Sequence, residues 1–308
     1  MAWIVFLAPA DLGEAVLASG ALAHVLREGD ELTLLADAEV TALFRGAPAR
    51  VYVPREQPAL FALLAQLRGA RCDVLIDALG GLAGGLIPTR RRVRLRPGAV
   101  LRHQVEEWAS AVGGERALTP KLWIDEAARA AAAAIAPDAS LLVLAPGGAT
   151  ETKRWPRDRY AAVARRLIGG PLAGARVAVL GAAGRDRPIT RAIVSSLDAD
   201  GVPAIDLGEG LDLLAAAALM ERATLCLGND NALTHIGAAM GAPTLTLFGP
   251  TDERVRAPYG PRARTLRGRS LEEIASQSAL DAGGAMEDVS IDAVEAAALD
   301  LLHAGGLR

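Results

Sequence analysis

The stretch from Leu227 to Asp252 reads LGNDNALTHIGAAMGAPTLTLFGPTD. It begins in an apolar run, TLCLG (224–228), that stops at Asn229 and Asp230. A small-residue segment with helical spacing follows over 231–240, and PTLTLFG (243–249) is again continuous and apolar. Strand, crossover helix and strand of this kind build a parallel sheet covered on both faces. Open α/β sheets bind ligands beyond the carboxyl ends of their strands, so the polar residues crowded here mark a candidate site. The free N–H groups of the first helical turn suit an anion, with Asp230 beside them and His235 one turn further on. Two plainer readings compete: Asp230 as the helix N-cap and His235 as a packed core residue.

The same rhythm fills both halves of the chain. In the first, apolar runs at 3–8, 31–36, 50–53 and 72–78 read as strands, with an alternating edge strand at 92–96. Helical patterns lie near 14–27, 38–44, 58–68 and 100–112. A helix over 125–140 ends at Pro137 and Asp138, which sets the domain boundary there. The rhythm then restarts, with strands at 140–148, 176–184, 203–208, 224–230 and 243–249. Helices are expected near 157–168, 186–197, 211–221, 231–240 and 290–304, the last capped by Ser290. The expected fold is therefore α/β, with two doubly wound parallel-sheet domains, 1–138 and 139–308, and a cleft between them.

Composition narrows the function. Apolar residues make up 51% of the 308 and aromatics only 4%, so Ala, Leu and Val must build the core. A net charge of −3 argues against a general nucleic-acid binder. Cys72 and Cys226 fall in apolar strand-like runs and read as buried thiols, with neither a disulfide framework nor metal-ligand spacing. The N-terminus lacks a basic leader, Asp11 and Glu14 interrupt its apolar run, and no uncharged run reaches the roughly 18–20 residues of a membrane span. A soluble cytoplasmic protein is expected.

Four loops after strands could carry chemistry. In APADLGEAVLASGAL (8–22), Glu14 starts a helix, either as a cleft-facing carboxylate or as a favourable charge on the helix dipole. In LAPGGATETKRWPRDRY (144–160), glycines let backbone N–H groups approach an anion, and Lys153 adds a point charge. Only two of the 33 basic residues are lysines, which draws attention to Lys153. In LGAAGRDRP (180–188), Asp186 could accept from sugar hydroxyls or serve as a first-turn acid. The Asp230 loop is the fourth. Separately, TRRRVRLR (89–96) concentrates five arginines, either a solvated edge or a surface for an anionic acceptor through Arg90, Arg91 and Arg92.

Taken in order, these loops resemble glycosyltransferase family 9, the heptosyltransferases of lipopolysaccharide inner-core assembly. LGEAVLASGAL (12–22) is similar to the family's N-terminal L-G-D element, and PGGATETKRWPRDRYAAVA (146–164) to its P-G-…-K-x-W-P helix start. GNDNALTHIGAAMGAPTLTLFGPTD (228–252) is similar to its D-[ST]-G-x-x-H-…-F-G-P-T signature, and DVLIDALGG (73–81) and SIDAVEAAALDLL (290–302) also fit. The resemblance implies a GT-B architecture, with acceptor on the N-terminal domain, nucleotide sugar on the C-terminal one, and room for the last helix to pack back on the first domain. It implies inverting, metal-independent, cofactor-free transfer from ADP-L-glycero-D-manno-heptose to a lipid A–Kdo type acceptor, by an enzyme peripheral to the inner face of the inner membrane. Carried over by position, Glu14 is the general base, with Asp11 as the weaker alternative. Lys153 holds the diphosphate with Thr150 or Thr152, and Asp186 contacts the ribose. Asp230, the amides of Asn231, Ala232 and Leu233, and His235 bind the donor. The chain departs from the pattern at Glu14, where the family has Asp, and at Asn231-Ala232, where it has Ser/Thr-Gly. Another nucleotide sugar, or non-catalytic binding of one, are the alternatives these departures leave open.

Overall fold

The computed structural model describes the chain except residues 55–69, 81–82, 96–100, 137–139, 183, 209–210, 277–280 and 305–308. The helix expected near 58–68 lies outside the described residues. The chain divides into two compact units. The first is Met1–Asp125 with Arg254–Arg256, and the second is Glu126–Glu253 with Ala257–Arg308.

In the first unit, β1 (Trp3–Leu7), β2 (Glu31–Ala36), β3 (Ala49–Pro54), β4 (Cys72–Asp77) and β5 (Thr89–Arg94) form one sheet in the order β3-β2-β1-β4-β5. Every pairing is parallel. β1 is buried almost throughout, as a central strand covered on both faces must be. Helix Leu12–Val25 follows it, capped by Asp11, whose side chain accepts the Glu14 N–H at 2.9 Å. β5 closes one edge as expected, but it starts at Thr89, three residues before the expected 92.

In the second unit, β6 (Leu141–Ala145), β7 (Arg176–Leu180), β8 (Ala204–Leu207), β9 (Leu225–Asn229), β10 (Thr244–Phe248) and β11 (Ala263–Arg267) pair in the order β11-β10-β9-β6-β7-β8, again all parallel. Its core is Leu and Val from β6, β7, β9 and β10, with Trp155, Tyr160 and alanines of the helices packed on them. Burying each such Leu or Val contributes about 1.5–3 kcal/mol before entropy is counted.

Three expectations shift. The units part at Asp125, not 138, because helix Glu126–Ile135 packs on helix Leu213–Glu221 and belongs with the second. The last helix, Ile291–Ala304, packs on helix Arg157–Ile168, β10 and β11 in the second unit. Its cap is as expected, since Ser290 Oγ accepts the Ala293 N–H at 3.1 Å. β11 was invisible in the sequence. ARTLR carries two arginines on a half-exposed edge, where charge discourages further pairing and no apolar run is required.

Both cysteines are free and buried. Burial pushes the Cys226 thiol up to about 12 and raises that of Cys72 as well. A thiol held above its unfolded value stabilises the fold fully below about pH 9, and that contribution fades as pH rises toward 12. Because only the thiolate reacts, a disulfide reagent at pH 8 is expected to leave Cys226 unlabelled in the native protein and to label it in guanidinium. Rapid native labelling of Cys226 would contradict its packing.

Candidate functional site

The sheet order picks out where ligands bind. From β6 the second unit's chain runs outward through β7 and β8. It then returns to β9 on the other side and continues through β10 to β11. The switch point is therefore the gap between β6 and β9, the place where doubly wound sheets bind ligands at their carboxyl ends. The loop after β6 carries Gly147, Gly148, Thr150, Thr152 and Lys153. The loop after β9 carries Asp230 and Asn231. Topology thus brings together two segments that the sequence separates by more than seventy residues.

They meet in an ion pair. Lys153 Nζ stands 2.8 Å from Asp230 Oδ2, with both side chains mostly buried. Thr251, three residues beyond β10, donates to the same oxygen at 2.8 Å and fixes the carboxylate's orientation. The Thr150 and Thr152 hydroxyls are 2.9 Å apart at the loop's exposed tip. Lys153 closes a single 3₁₀ turn, Glu151–Lys153, immediately before Arg154 and the buried Trp155.

Asn231, not Asp230, caps helix Ala232–Ala239. Its Oδ1 accepts from Leu233 N at 2.9 Å and Thr234 N at 3.3 Å. In return, Thr234 Oγ1 accepts from Asn231 N at 3.5 Å. This capping box occupies the amides of Asn231 and Leu233, two of the three expected to meet the donor. Such a box supports the helix start reciprocally. The Asn231 Nδ2 also donates to Ala145 O at 3.0 Å and Gly147 O at 2.9 Å. A Ser or Thr in its place is one atom shorter and lacks a carboxamide to span this gap. His235 sits on the same helix and is buried.

Asp186, expected at the donor's ribose, packs beneath the loop after β6. It is only 2% exposed, its Oδ2 accepts from Ala182 N at 2.9 Å, and Arg154 reaches its Oδ1 at 3.4 Å. It also lies directly under Gly147, where a Cβ would come within 2.2 Å of Oδ2. Asp186 thus supports the glycine loop from below. Arg154 is likewise structural, donating to Gly148 O at 3.0 Å and pairing with Glu151.

In the first unit the switch point falls between β1 and β4. Glu14 opens the helix after β1, and its Oε1 is 2.5 Å from Nη1 of Arg256, a residue that groups with this unit. Asp11, the weaker alternative, caps that helix. Arg90, Arg91 and Arg92 lie at the start of β5, away from the sheet's carboxyl edge. Arg90 pairs with Asp73 at 3.2 Å, Arg91 donates to Val112 O at 2.5 Å, and Arg92 to Gly84 O and to Ile87 O at 3.0 Å. The arginine at the carboxyl edge is Arg94, whose Nε donates to the buried Asp77 at 2.8 Å. In the sequence it was one of five neighbouring arginines; only the β4–β5 register, which sets Arg94 opposite Asp77, singles it out. Among the described residues, no cluster of three or more His, Cys, Asp or Glu could hold a metal ion, and no helix is long and apolar enough to cross a membrane.

Two Rossmann-like units, the second with a lysine–carboxylate pair at its switch point, have the make-up of the GT-B class. A family model described as glycosyltransferase family 9 (heptosyltransferase) matches residues 90–284. The chain belongs to that family. Lipooligosaccharide heptosyltransferase 2 of Haemophilus influenzae is 33% identical over 116 residues, which is 37% of this chain and 32% of that protein. The match thus spans about a third of that curated relative. Among solved structures, Escherichia coli ADP-heptose LPS heptosyltransferase II superposes with a TM-score of 0.77 at 19% identity, covering 98% of this chain and 99% of the other. Escherichia coli heptosyltransferase WaaC with ADP gives 0.73 at 16%, covering 97% and 99%. At such identities these two likenesses establish the fold.

Proposed function

We propose that this chain is an inverting, metal-independent glycosyltransferase that moves a heptose from ADP-L-glycero-D-manno-heptose to a lipid A–Kdo type acceptor of the lipopolysaccharide inner core. The observation that carries the reading is the Lys153–Asp230 pair at the switch point between β6 and β9. Family membership and the curated heptosyltransferase relative support the reaction class. The WaaC structure with ADP supports the nucleotide.

In this mechanism Glu14 accepts the proton of the acceptor hydroxyl as its oxygen bonds to the anomeric carbon from the face opposite the diphosphate. The bond to the diphosphate oxygen breaks, and its electron pair leaves with ADP. Because no covalent glycosyl intermediate forms, configuration inverts. Lys153, with the Thr150 or Thr152 hydroxyl, neutralises charge developing on the departing diphosphate, and the Ala232 amide at the helix start adds a fixed partial charge. Asp230, held by Thr251, accepts from sugar hydroxyls, and His235 lines the same helix. The reading places the enzyme in the cytoplasm, at the inner face of the inner membrane.

Asn231-Ala232 favours one rival. Capping takes up amides otherwise available to the donor, so a differently shaped nucleotide sugar is the alternative. Thermal unfolding against a nucleotide panel decides between them. ADP and ADP-heptose are expected to raise Tm, since a ligand at a hundred times its Kd adds about 2.7 kcal/mol. Stabilisation by UDP or GDP and their sugars in preference would reassign the donor. Stabilisation by a nucleotide sugar without any transfer would make this a binding protein.

A further inference from the structure

We infer that Asn229 is a positioning residue that clamps the diphosphate loop to β9 and thereby sets where Lys153 stands. The inference rests on the reading of Lys153 and Asp230 as donor-site residues. Asn229 is the last residue of β9 and wholly buried. A carboxamide offers two N–H donors and an oxygen with two lone pairs, and here all four are used. The Nδ2 donates to Pro146 O at 2.7 Å and Gly147 O at 3.2 Å, where the loop leaves β6. The Oδ1 accepts from Trp155 N at 3.1 Å, where the loop re-enters the core, and from Tyr160 OH at 2.8 Å.

One side chain therefore ties together the two ends of the segment that carries Thr150, Thr152 and Lys153. Its own backbone leads directly into Asp230. Lys153 lies two residues before Trp155 and Asp230 one residue after Asn229, so the clamp fixes both members of the ion pair relative to each other. Asn231 reinforces it through Ala145 O and Gly147 O. The segment between the tie points contains Gly148 and the exposed Thr150–Glu151 tip, which without the clamp would sample many conformations. Apparent affinity falls in proportion to the fraction of molecules in the competent form, so loosening the loop weakens donor binding and leaves the chemical step intact. A core amide with no role beyond folding would show no such selectivity.

The test compares Asn229→Ser, too short to reach both loop ends, with Tyr160→Phe, which removes one partner outside the loop ends. Calorimetric titration of the full chain with ADP, steady-state kinetics, and hydrogen exchange of the free protein are read together. For Asn229→Ser, ADP Kd and donor KM are expected to rise about 10–30-fold with kcat within threefold, the pattern of lost uniform binding. Exchange over 146–155 is expected to accelerate at least tenfold while β7 stays protected. Tyr160→Phe lowers Tm but keeps ADP Kd within twofold. The inference is overturned if Asn229→Ser leaves Kd and loop exchange unchanged, if exchange accelerates evenly across the second unit, or if Tyr160→Phe weakens ADP equally. If the wild-type chain does not bind ADP, the donor reading itself has failed, and the exchange data then judge the clamp alone.

Discussion

Replacing Glu14 by Gln is expected to lower kcat by about 10²–10⁴-fold, the usual worth of a positioned general base, with ADP affinity within threefold of wild type. Gln keeps the shape and the ability to accept a hydrogen bond but cannot take the acceptor proton. The residues proposed to hold the donor belong to the second unit and Glu14 to the first, so its loss should spare ADP binding. Asp11→Asn is the paired control. Asn caps a helix as well as Asp does, and the carboxylate oxygen of Asp11 already accepts from Glu14 N. Activity should therefore survive in Asp11→Asn. Transfer assays on both variants, with ADP titrations alongside, read the outcome. If Asp11→Asn loses turnover and Glu14→Gln keeps it, the base is Asp11 and the methylene added at position 14 has displaced the carboxylate from its task.

The parallel strands were legible because burial on both faces forces continuous apolar runs: WIVFL, LLVLA and TLTLF can hardly be read otherwise. The same rule explains why ARTLR was missed, since an edge strand escapes that requirement. Loops were legible as places where polar residues follow strands, and this drew attention to Glu14, Lys153 and Asp230. Strand order was not legible, because pairing partners lie far apart in sequence, and the switch point exists only in that order. Asp186 shows the limit from the other side. Its position in a glycine-rich loop suggested a ligand contact, and the packing of Gly147 upon it, a support for the loop after β6, is visible only in the fold. Asn229 shows it most clearly. Its partners are 69 to 83 residues away, and nothing local distinguishes it from any polar residue that ends a strand.

Asn231 joins these threads. Read in the sequence, it broke a family pattern and put the donor in question. In the fold it caps the helix and ties β6's loop to β9's, so the change from a hydroxyl to a carboxamide brings a second tether for the loop after β6. The departure is thus coupled to the loop's geometry as well as to the ligand.

Replacing Lys153 by Met should weaken ADP binding by about 10–100-fold, because a hydrogen bond to a charged group contributes roughly 1.5–3 kcal/mol. Met keeps most of the apolar stem that Lys buries and removes only the ammonium. Turnover should fall as well as affinity, because charge on the diphosphate grows as the glycosidic bond breaks and Lys153 then counts for more. The ion pair modifies this expectation. In the free chain Lys153 is already engaged by Asp230, so part of its attraction for the diphosphate is offset by loosening that contact. Lys153→Met also leaves Asp230 Oδ2 with the Thr251 hydroxyl but without its cation. A companion Asp230→Asn variant separates the two effects. If Asp230 chiefly restrains Lys153, Asn at 230 tightens ADP itself while raising the KM of the full nucleotide sugar. If Asp230 serves only to hold the fold, both ligands weaken together and Tm falls. Titrations with ADP and with the nucleotide sugar at two ionic strengths complete the measurement, since an attraction that Lys153 supplies must shrink with added salt in the wild type and shrink less in Lys153→Met. An ADP affinity unchanged by Lys153→Met would remove the lysine from the donor site, and with it the observation on which the functional reading stands.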